Sequence, residues 1–178
     1  ASRGLGDVYK RQLFSPDTEL GRWLATRNTM LRIGRNLFVH AGLSARLLER
    51  DLEMDTLNAR MSEGLYRTSK ERREDPTLEF LYRSAGPVWY RGMVCADEKY
   101  DPLTPEQTDA LLRRYDADRL LVGHTIFPDI STFHDGRVIA VNVQNELNRR
   151  KNRGRAVLIE GSRISVVGNR GVKRVLEE

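Results

Sequence analysis

The sequence has a single cysteine, Cys95, among its 178 residues. One thiol excludes an internal disulfide framework and a cysteine-based zinc site, because both need several cysteines. Asp97 and Glu98 follow closely, and their negative charge opposes formation of the reactive thiolate. We therefore expect Cys95 to be inert and look for the chemistry of this chain elsewhere.

Long apolar runs are also missing. No stretch approaches the ~18 consecutive apolar residues of a membrane span, and the first residues lack the pattern of a secretory signal. We expect no membrane partner; the cytoplasm is favoured, and the location otherwise stays open because the true N-terminus is not visible. Residues 1–12 combine two glycines with clustered charge. We interpret them as a foreign or disordered segment, and residues 13–178 as one domain.

Acidic residues are fewer than basic ones, with 25 Asp and Glu against 30 Lys and Arg. Most basic residues are interleaved with acids, as on a solvated helix. Residues 148–155, with sequence NRRKNRGR, are the exception because they contain no acid. We interpret them as a surface loop and do not expect a nucleic-acid partner, although a basic loop would also suit phosphorylated protein substrates.

Apolar periodicity divides the chain into a helical part and a later part with strand periodicity. Helices are predicted in four stretches: SPDTELGRWLATRN, the residues from 44 to about 70, DPTLEFLYRSA and TPEQTDALLRRY. Strands are predicted in TMLRI, NLFVH and DRLLVGHT, followed by the hairpins ISTFHDGRVIAVNV and RAVLIEGSRISVVG. His134 precedes the Asp-Gly turn of the first of these hairpins and is expected to be exposed. The pattern predicts a mixed α/β domain.

Two histidines occur in the same context, each at the end of an apolar strand. His40 lies in LFVHAG and His124 in LLVGHT. Neighbouring strands could bring both imidazoles to one edge of a sheet, where ligands often bind. Imidazole is a common metal ligand, while packed histidines without a ligand are also common, so both interpretations stay open. The bare backbone of Ala41 and Gly42 suggests that something approaches His40 closely.

A third notable stretch is GPVWYRGM, residues 86–93. Gly and Pro end the preceding helix, and Trp89 and Tyr90 are placed to support Arg91 at a tight turn. An arginine held in this way can bind a phosphate through two hydrogen bonds. The alternative, an aromatic cluster that anchors a loop with a surface arginine, fits these residues equally well.

Five stretches in order resemble the calcineurin-like metallophosphoesterases, in particular the bacterial-type phosphoprotein phosphatases. They are FSPDTELGRWL, LFVHAGLS, GPVWYRGM, LLVGHTIF and DGRVIAVNV. The resemblance implies the C-terminal half of a metallophosphoesterase β-sandwich flanked by helices. It also implies that His40 and His124 are metal ligands and that Arg91 binds the substrate phosphate.

The same family has three earlier motifs that this sequence lacks: Gly-Asp-x-His, Gly-Asp-x-x-Asp-Arg-Gly and Gly-Asn-His-Glu. The resemblance therefore implies a divalent metal pair (Mn²⁺, Fe or Zn²⁺) of which only one site is partly encoded here. On this basis we expect the chain alone to be inactive or weak, because two imidazoles without a bridging carboxylate cannot hold a metal pair.

The function implied by the resemblance is metal-dependent hydrolysis of a phosphomonoester by a protein phosphatase. Its substrate would be a phosphorylated protein or a small phosphomonoester, and the sequence does not distinguish phosphoserine, phosphothreonine and phosphotyrosine. One alternative is a hydrolase of nucleotides or bis-nucleoside polyphosphates in the same superfamily. Another is a non-catalytic module that binds phosphate or nucleic acid on a degenerate phosphatase scaffold.

Overall fold

The computed structural model describes residues 12–177. Its helices are α1 (Glu19–Ala25), α2 (Ala45–Glu49), α3 (Met54–Gly64), α4 (Ser69–Arg73), α5 (Pro76–Tyr82), α6 (Pro105–Arg114) and α7 (Asn145–Arg150). Its strands are β1 (Met30–Ile33), β2 (Asn36–Val39), β3 (Arg119–Val122), β4 (Ser131–Phe133), β5 (Val138–Ala140), β6 (Ala156–Glu160), β7 (Arg163–Val167) and β8 (Lys173–Glu177). No helix among the described residues has the length and apolar character that crossing a bilayer requires. The interpretation of residues 1–12 falls almost wholly outside the described residues.

The strands form two sheets. The first has the order β1-β2-β3-β5-β4, in which the three central strands are parallel and both edge strands are antiparallel to their neighbours. The second has the order β6-β7-β8 and is antiparallel. The predicted α/β class is confirmed, and the predicted strands and hairpins are present.

The first sheet is covered on both faces. Leu37, Leu120 and Val138 point to one face and belong to the large apolar cluster that includes residues of the helices. Leu121 and Ile139 point to the opposite face and pack with residues of the second sheet, such as Ile164. Each fully buried aliphatic side chain contributes about 1.5–3 kcal/mol. The described chain therefore has three layers: helices, a mixed sheet and a smaller antiparallel sheet.

The sequence predicted one helical stretch from residue 44 to about residue 70. In the structure this stretch forms three helices, α2, α3 and α4. The break after α2 occurs at Asp51, which has a left-handed backbone with φ of 45°, a conformation that Asp tolerates better than most residues. The break before α4 is fixed by a capping box between Thr68 and Glu71. Apolar spacing continues across both breaks, so the periodicity alone could not reveal them.

Two expectations about polar segments need correction. His134 is half-buried rather than exposed: its Nδ1 lies 3.2 Å from Thr108 Oγ1 and its Nε2 lies 3.0 Å from the carbonyl oxygen of Met93. These contacts tie the β4–β5 turn to α6. The predicted loop at residues 148–155 begins inside α7, which extends to Arg150.

Asp75 links α5 to α3 and gives a testable pH dependence. Its carboxylate accepts hydrogen bonds from the backbone N–H groups of Thr77 and Leu78, at 2.9 and 3.0 Å, and pairs with Arg60. The hydrogen bond from Arg60 is the largest cause of a lowered Asp75 pKa. Because the folded pKa is lowered, this stabilisation is present above the unfolded pKa of about 3.9 and is lost as the pH falls through the folded pKa.

We expect Asp75→Asn, which keeps an N-capping side chain, to have a lower urea midpoint than the wild type at pH 7. The difference should shrink as the pH falls below about 4, because the carboxyl is then protonated in the unfolded wild type and becomes protonated in the folded state only at still lower pH. The exposed Asp17, which has no ion pair among the described residues, provides the control Asp17→Asn. If the urea midpoints of the wild type and Asp75→Asn differ by the same amount at pH 7 and below pH 4, the lowered pKa of Asp75 is contradicted.

Candidate active site

The ends of two parallel strands bring His40 and His124 together. β2 pairs with β3 in a register that places Val39 opposite Val122. His40 follows Val39 directly, and His124 follows Val122 after Gly123, whose N–H donates to the His40 carbonyl at 2.8 Å. His40 Nε2 lies 3.2 Å from His124 Nδ1, although the residues are 84 positions apart in sequence.

His124 has an unusual environment. Its backbone is left-handed, with φ of 60°, a conformation that costs a residue with a side chain of order 1–3 kcal/mol and is concentrated at functional sites. The Trp89 ring meets the imidazole edge-on at a centroid distance of 5.5 Å. Burial, followed by the charges of Arg91 and His40, lowers the pKa of His124, so the imidazole is mostly neutral at pH 7.

One ring nitrogen of His124 lacks a hydrogen-bond partner in the described part of the chain. His124 Nε2 is buried and has no hydrogen-bond partner among the described residues. Buried polar atoms are nearly always paired, so an unpaired one needs an explanation. A ligand, or a part of a longer protein, could supply the partner.

The segment of residues 86–93 is docked against the end of β2. The N–H groups of Ala41 and Gly42 donate to the Pro87 carbonyl, at 3.0 and 3.4 Å. A Cβ on Gly42 would lie only 3.0 Å from the carbonyl oxygen of Tyr90. The bare backbone after His40 therefore serves the packing of this segment, which corrects the expectation that it admits a ligand.

Arg91 is held in place by its neighbours. The adjacent Gly92 has no room for a side chain, because a Cβ would lie 2.6 Å from the Tyr100 carbonyl oxygen and 2.5 Å from that of Asp101. Tyr90 is 3% exposed, donates its hydroxyl to the Asp101 carbonyl, and has a pKa that burial raises. The Arg91 guanidinium lies 5.8 Å from the Tyr100 ring and has no carboxylate partner among the described residues. It is therefore free to bind an anion.

Two cavities meet at Trp89 and Tyr82. The first, of about 660 Å³, contains His40 and His124 together with apolar side chains such as Met61. The second, of about 680 Å³, contains Arg91; its other basic residues are Arg46, Arg83 and Lys99. These three residues were not identified from the sequence because they lie in separate segments. In each segment the neighbouring residues are acidic or apolar, so no local cluster of basic residues is visible.

The residues of the site do not fit the predicted divalent metal pair. Over residues 12–177 no group of three or more His, Cys, Asp or Glu side chains is placed to hold a metal ion. His40 and His124 alone provide fewer ligands than the three or four that proteins use for such ions. The predicted dinuclear centre is therefore wrong for the described chain.

Solved structures of tyrosine phosphatases are similar to this chain. A cold-active protein tyrosine phosphatase determined at 1.1 Å is 29% identical, with a TM-score of 0.83, over 94% of this chain and 47% of its own length. A point mutant of a cold-active protein tyrosine phosphatase and the cold-active protein tyrosine phosphatase of a psychrophilic Shewanella species are each 28% identical. Both have a TM-score of 0.83 and are matched over 93% of this chain and 48% of their own. The chain thus spans about half the length of these structures.

No family model and no curated protein matches the chain. The solved structures that do match are described as protein tyrosine phosphatases, not as calcineurin-like metallophosphoesterases. The family expected from the resemblance is corrected accordingly, to a similarity with these tyrosine phosphatases. The expectation of a metal-dependent dinuclear enzyme is withdrawn with it.

Proposed function

We propose that the chain is part of a phosphatase that hydrolyses phosphotyrosine in protein substrates. The observation that carries the proposal is the similarity to solved tyrosine phosphatases over 94% of the chain. The site supports it, because Arg91 and two imidazoles lie beside an exposed tryptophan in a pair of joined cavities. The roles of Arg91, His40 and His124 are proposals on the same basis.

Each side chain has a role in binding the substrate. Arg91 donates two N–H groups to the phosphate oxygens and balances their charge. If His40 Nε2 donates to His124 Nδ1, then His124 Nε2, which has no partner among the described residues, carries the proton and can donate a hydrogen bond to the phosphate. Trp89, 54% exposed, can pack against the phenyl ring of the substrate. Hydrolysis then breaks the phosphorus–oxygen bond to the phenol: the oxygen of water forms the new bond to phosphorus, and the proton that the water loses ends on the leaving phenol oxygen.

Binding and turnover need separate tests, because the chain spans about half the length of the similar structures. We expect weak or no hydrolysis by the chain alone and measurable binding of phosphotyrosine. Isothermal titration in EDTA, which removes adventitious cations, would measure the affinities for phosphotyrosine, inorganic phosphate and a nucleoside monophosphate. Tighter binding of phosphotyrosine than of the other two supports the proposal.

Trp89→Ala should weaken phosphotyrosine binding by about 3–10-fold, the value of one aromatic contact, and leave phosphate binding nearly unchanged. Trp23 provides a matched control, since it is 53% exposed but lies on α1 outside both cavities. Trp23→Ala should change neither affinity. Equal losses for phosphotyrosine and phosphate, or preferred binding of the nucleotide, would contradict the proposed substrate.

A further inference from the structure

A basic groove lies beside the proposed phosphate site. We define it by Arg46, Arg83, Lys99 and Arg91, with Tyr82, Trp89 and Tyr100 as its aromatic walls. We propose that this groove binds acidic residues next to the phosphotyrosine, so that the enzyme selects acidic phosphopeptides. This inference rests on the proposed function and names its substrate class.

The groove carries a positive charge that the described residues do not neutralise. Asp101 is the one acidic residue among those that line it. Lys99 and Arg83 are paired with Asp97 and Glu79, at 2.6 and 3.0 Å, but both pairs are exposed and therefore weak. Arg46, like Arg91, has no carboxylate partner among residues 12–177. With Arg91 assigned to the phosphate, Arg46 and the two weakly paired cations, Lys99 and Arg83, remain to attract acidic side chains of the ligand.

The position of the groove indicates how such a ligand would run. Trp89 and Tyr82 line both the groove and the cavity that contains His40 and His124. A peptide whose phosphotyrosine lies at Trp89 therefore passes into the groove on leaving the site. Because Arg46 and Arg83 line the same cavity as Trp89 and Arg91, residues next to the phosphotyrosine are the part of the peptide that would meet them.

The other basic stretch of the sequence, residues 148–155, is less available. Arg155 is largely buried and pairs with Asp129 at 2.7 Å, whereas the pair of Arg150 with Glu146 is exposed and therefore weak. Arg153 donates to the side chain of Asn148 and to the Pro128 carbonyl. Arg153 and Arg155 are therefore engaged in holding the loop after α7, and so the basic groove is the better candidate for recognising an acidic partner.

The test compares labelled peptides by fluorescence anisotropy. A phosphotyrosine peptide flanked by Asp and Glu is compared with the same peptide carrying Asn and Gln, and with the acidic peptide lacking the phosphate. We expect the acidic phosphopeptide to bind the wild type about tenfold more tightly than the neutral one at low salt, and this preference to fall as salt screens the charges.

The double variant Arg46→Glu/Arg83→Glu should lose this preference and bind the acidic phosphopeptide no more tightly than the neutral one. Arg149→Glu makes the same charge change at an exposed position of α7, outside the groove, and should retain the preference. Circular dichroism confirms that each variant is folded, and the single variants Arg46→Glu and Arg83→Glu replace the double variant if it is not.

The outcomes separate this inference from the proposed function. If both phosphopeptides bind equally well, or the preference survives in the groove variants, the groove proposal is wrong and the proposed function stands. If the acidic peptide binds equally well with and without phosphate, and Arg46 and Arg83 are needed, the groove is supported and the phosphatase proposal is not. If a single-stranded oligonucleotide displaces the acidic phosphopeptide and binds more tightly, the occupant is a nucleic acid and the proposal is overturned.

Discussion

Replacing Asn58 with alanine is expected to lower the free energy of unfolding by about 2–4 kcal/mol. Asn58 lies on α3, is 8% exposed, and pairs with both backbone groups of Met30 on the edge strand β1. Its Oδ1 accepts from the Met30 N–H at 2.9 Å, and its Nδ2 donates to the Met30 carbonyl at 2.8 Å. Alanine would leave a buried donor and a buried acceptor unpaired.

The measurement is urea unfolding followed by circular dichroism at pH 7, with Asn145→Ala as the control. Asn145 is exposed at the start of α7, so its replacement should change the unfolding free energy by less than about 0.5 kcal/mol. A loss below 1 kcal/mol for Asn58→Ala would contradict the expectation, because it would mean that water or a small shift of β1 satisfies the Met30 groups.

Asn58 also illustrates what the sequence could not reveal about the fold. The leucines and methionines of α3 repeat at helical spacing, and this spacing predicted the helix correctly. From the sequence, a polar residue between them is expected to face solvent. Whether such a residue faces solvent or an edge strand depends on the position of β1 relative to α3. The local periodicity of the sequence carries no information about that position. The break at Asp51 was missed because the apolar spacing continues across it, whereas the break at Thr68 has a local signal, its capping box with Glu71, that apolar periodicity does not detect.

The site shows a similar division. The matched contexts of His40 and His124 predicted strand ends, and the parallel pairing of β2 and β3 brings His40 Nε2 within 3.2 Å of His124 Nδ1. Short motifs can place residues at the edge of a sheet, but they do not identify the ligand. The metal pair that we inferred from the family resemblance was wrong for the described chain. The basic groove could not be predicted, because Arg46, Arg83 and Lys99 converge only after the helices pack.

Replacing Arg91 with alanine is expected to weaken phosphotyrosine binding by about 10²–10⁴-fold. Hydrogen bonds to a charged group are each worth about 1.5–3 kcal/mol, and the guanidinium fork can make two of them to one phosphate. The backbone at Gly92 is packed closely against the carbonyls of Tyr100 and Asp101, which fixes the point at which the Arg91 side chain leaves the main chain. Turnover of a phosphotyrosine peptide, wherever it is measurable, should fall at least as far, since charge also develops in the transition state.

Two variants distinguish this role from a general effect of charge. Arg91→Lys keeps the positive charge but loses the two-pronged geometry, so its affinity should lie between those of the wild type and Arg91→Ala. Arg149→Ala removes the same charge from an exposed position on α7 and should leave the affinity within about twofold, as screening predicts for a distant surface charge. If Arg91→Lys binds phosphotyrosine as tightly as the wild type, the guanidinium is acting only as a charge. If Arg91→Ala also binds it equally tightly, the phosphate lies elsewhere and the site must be assigned again.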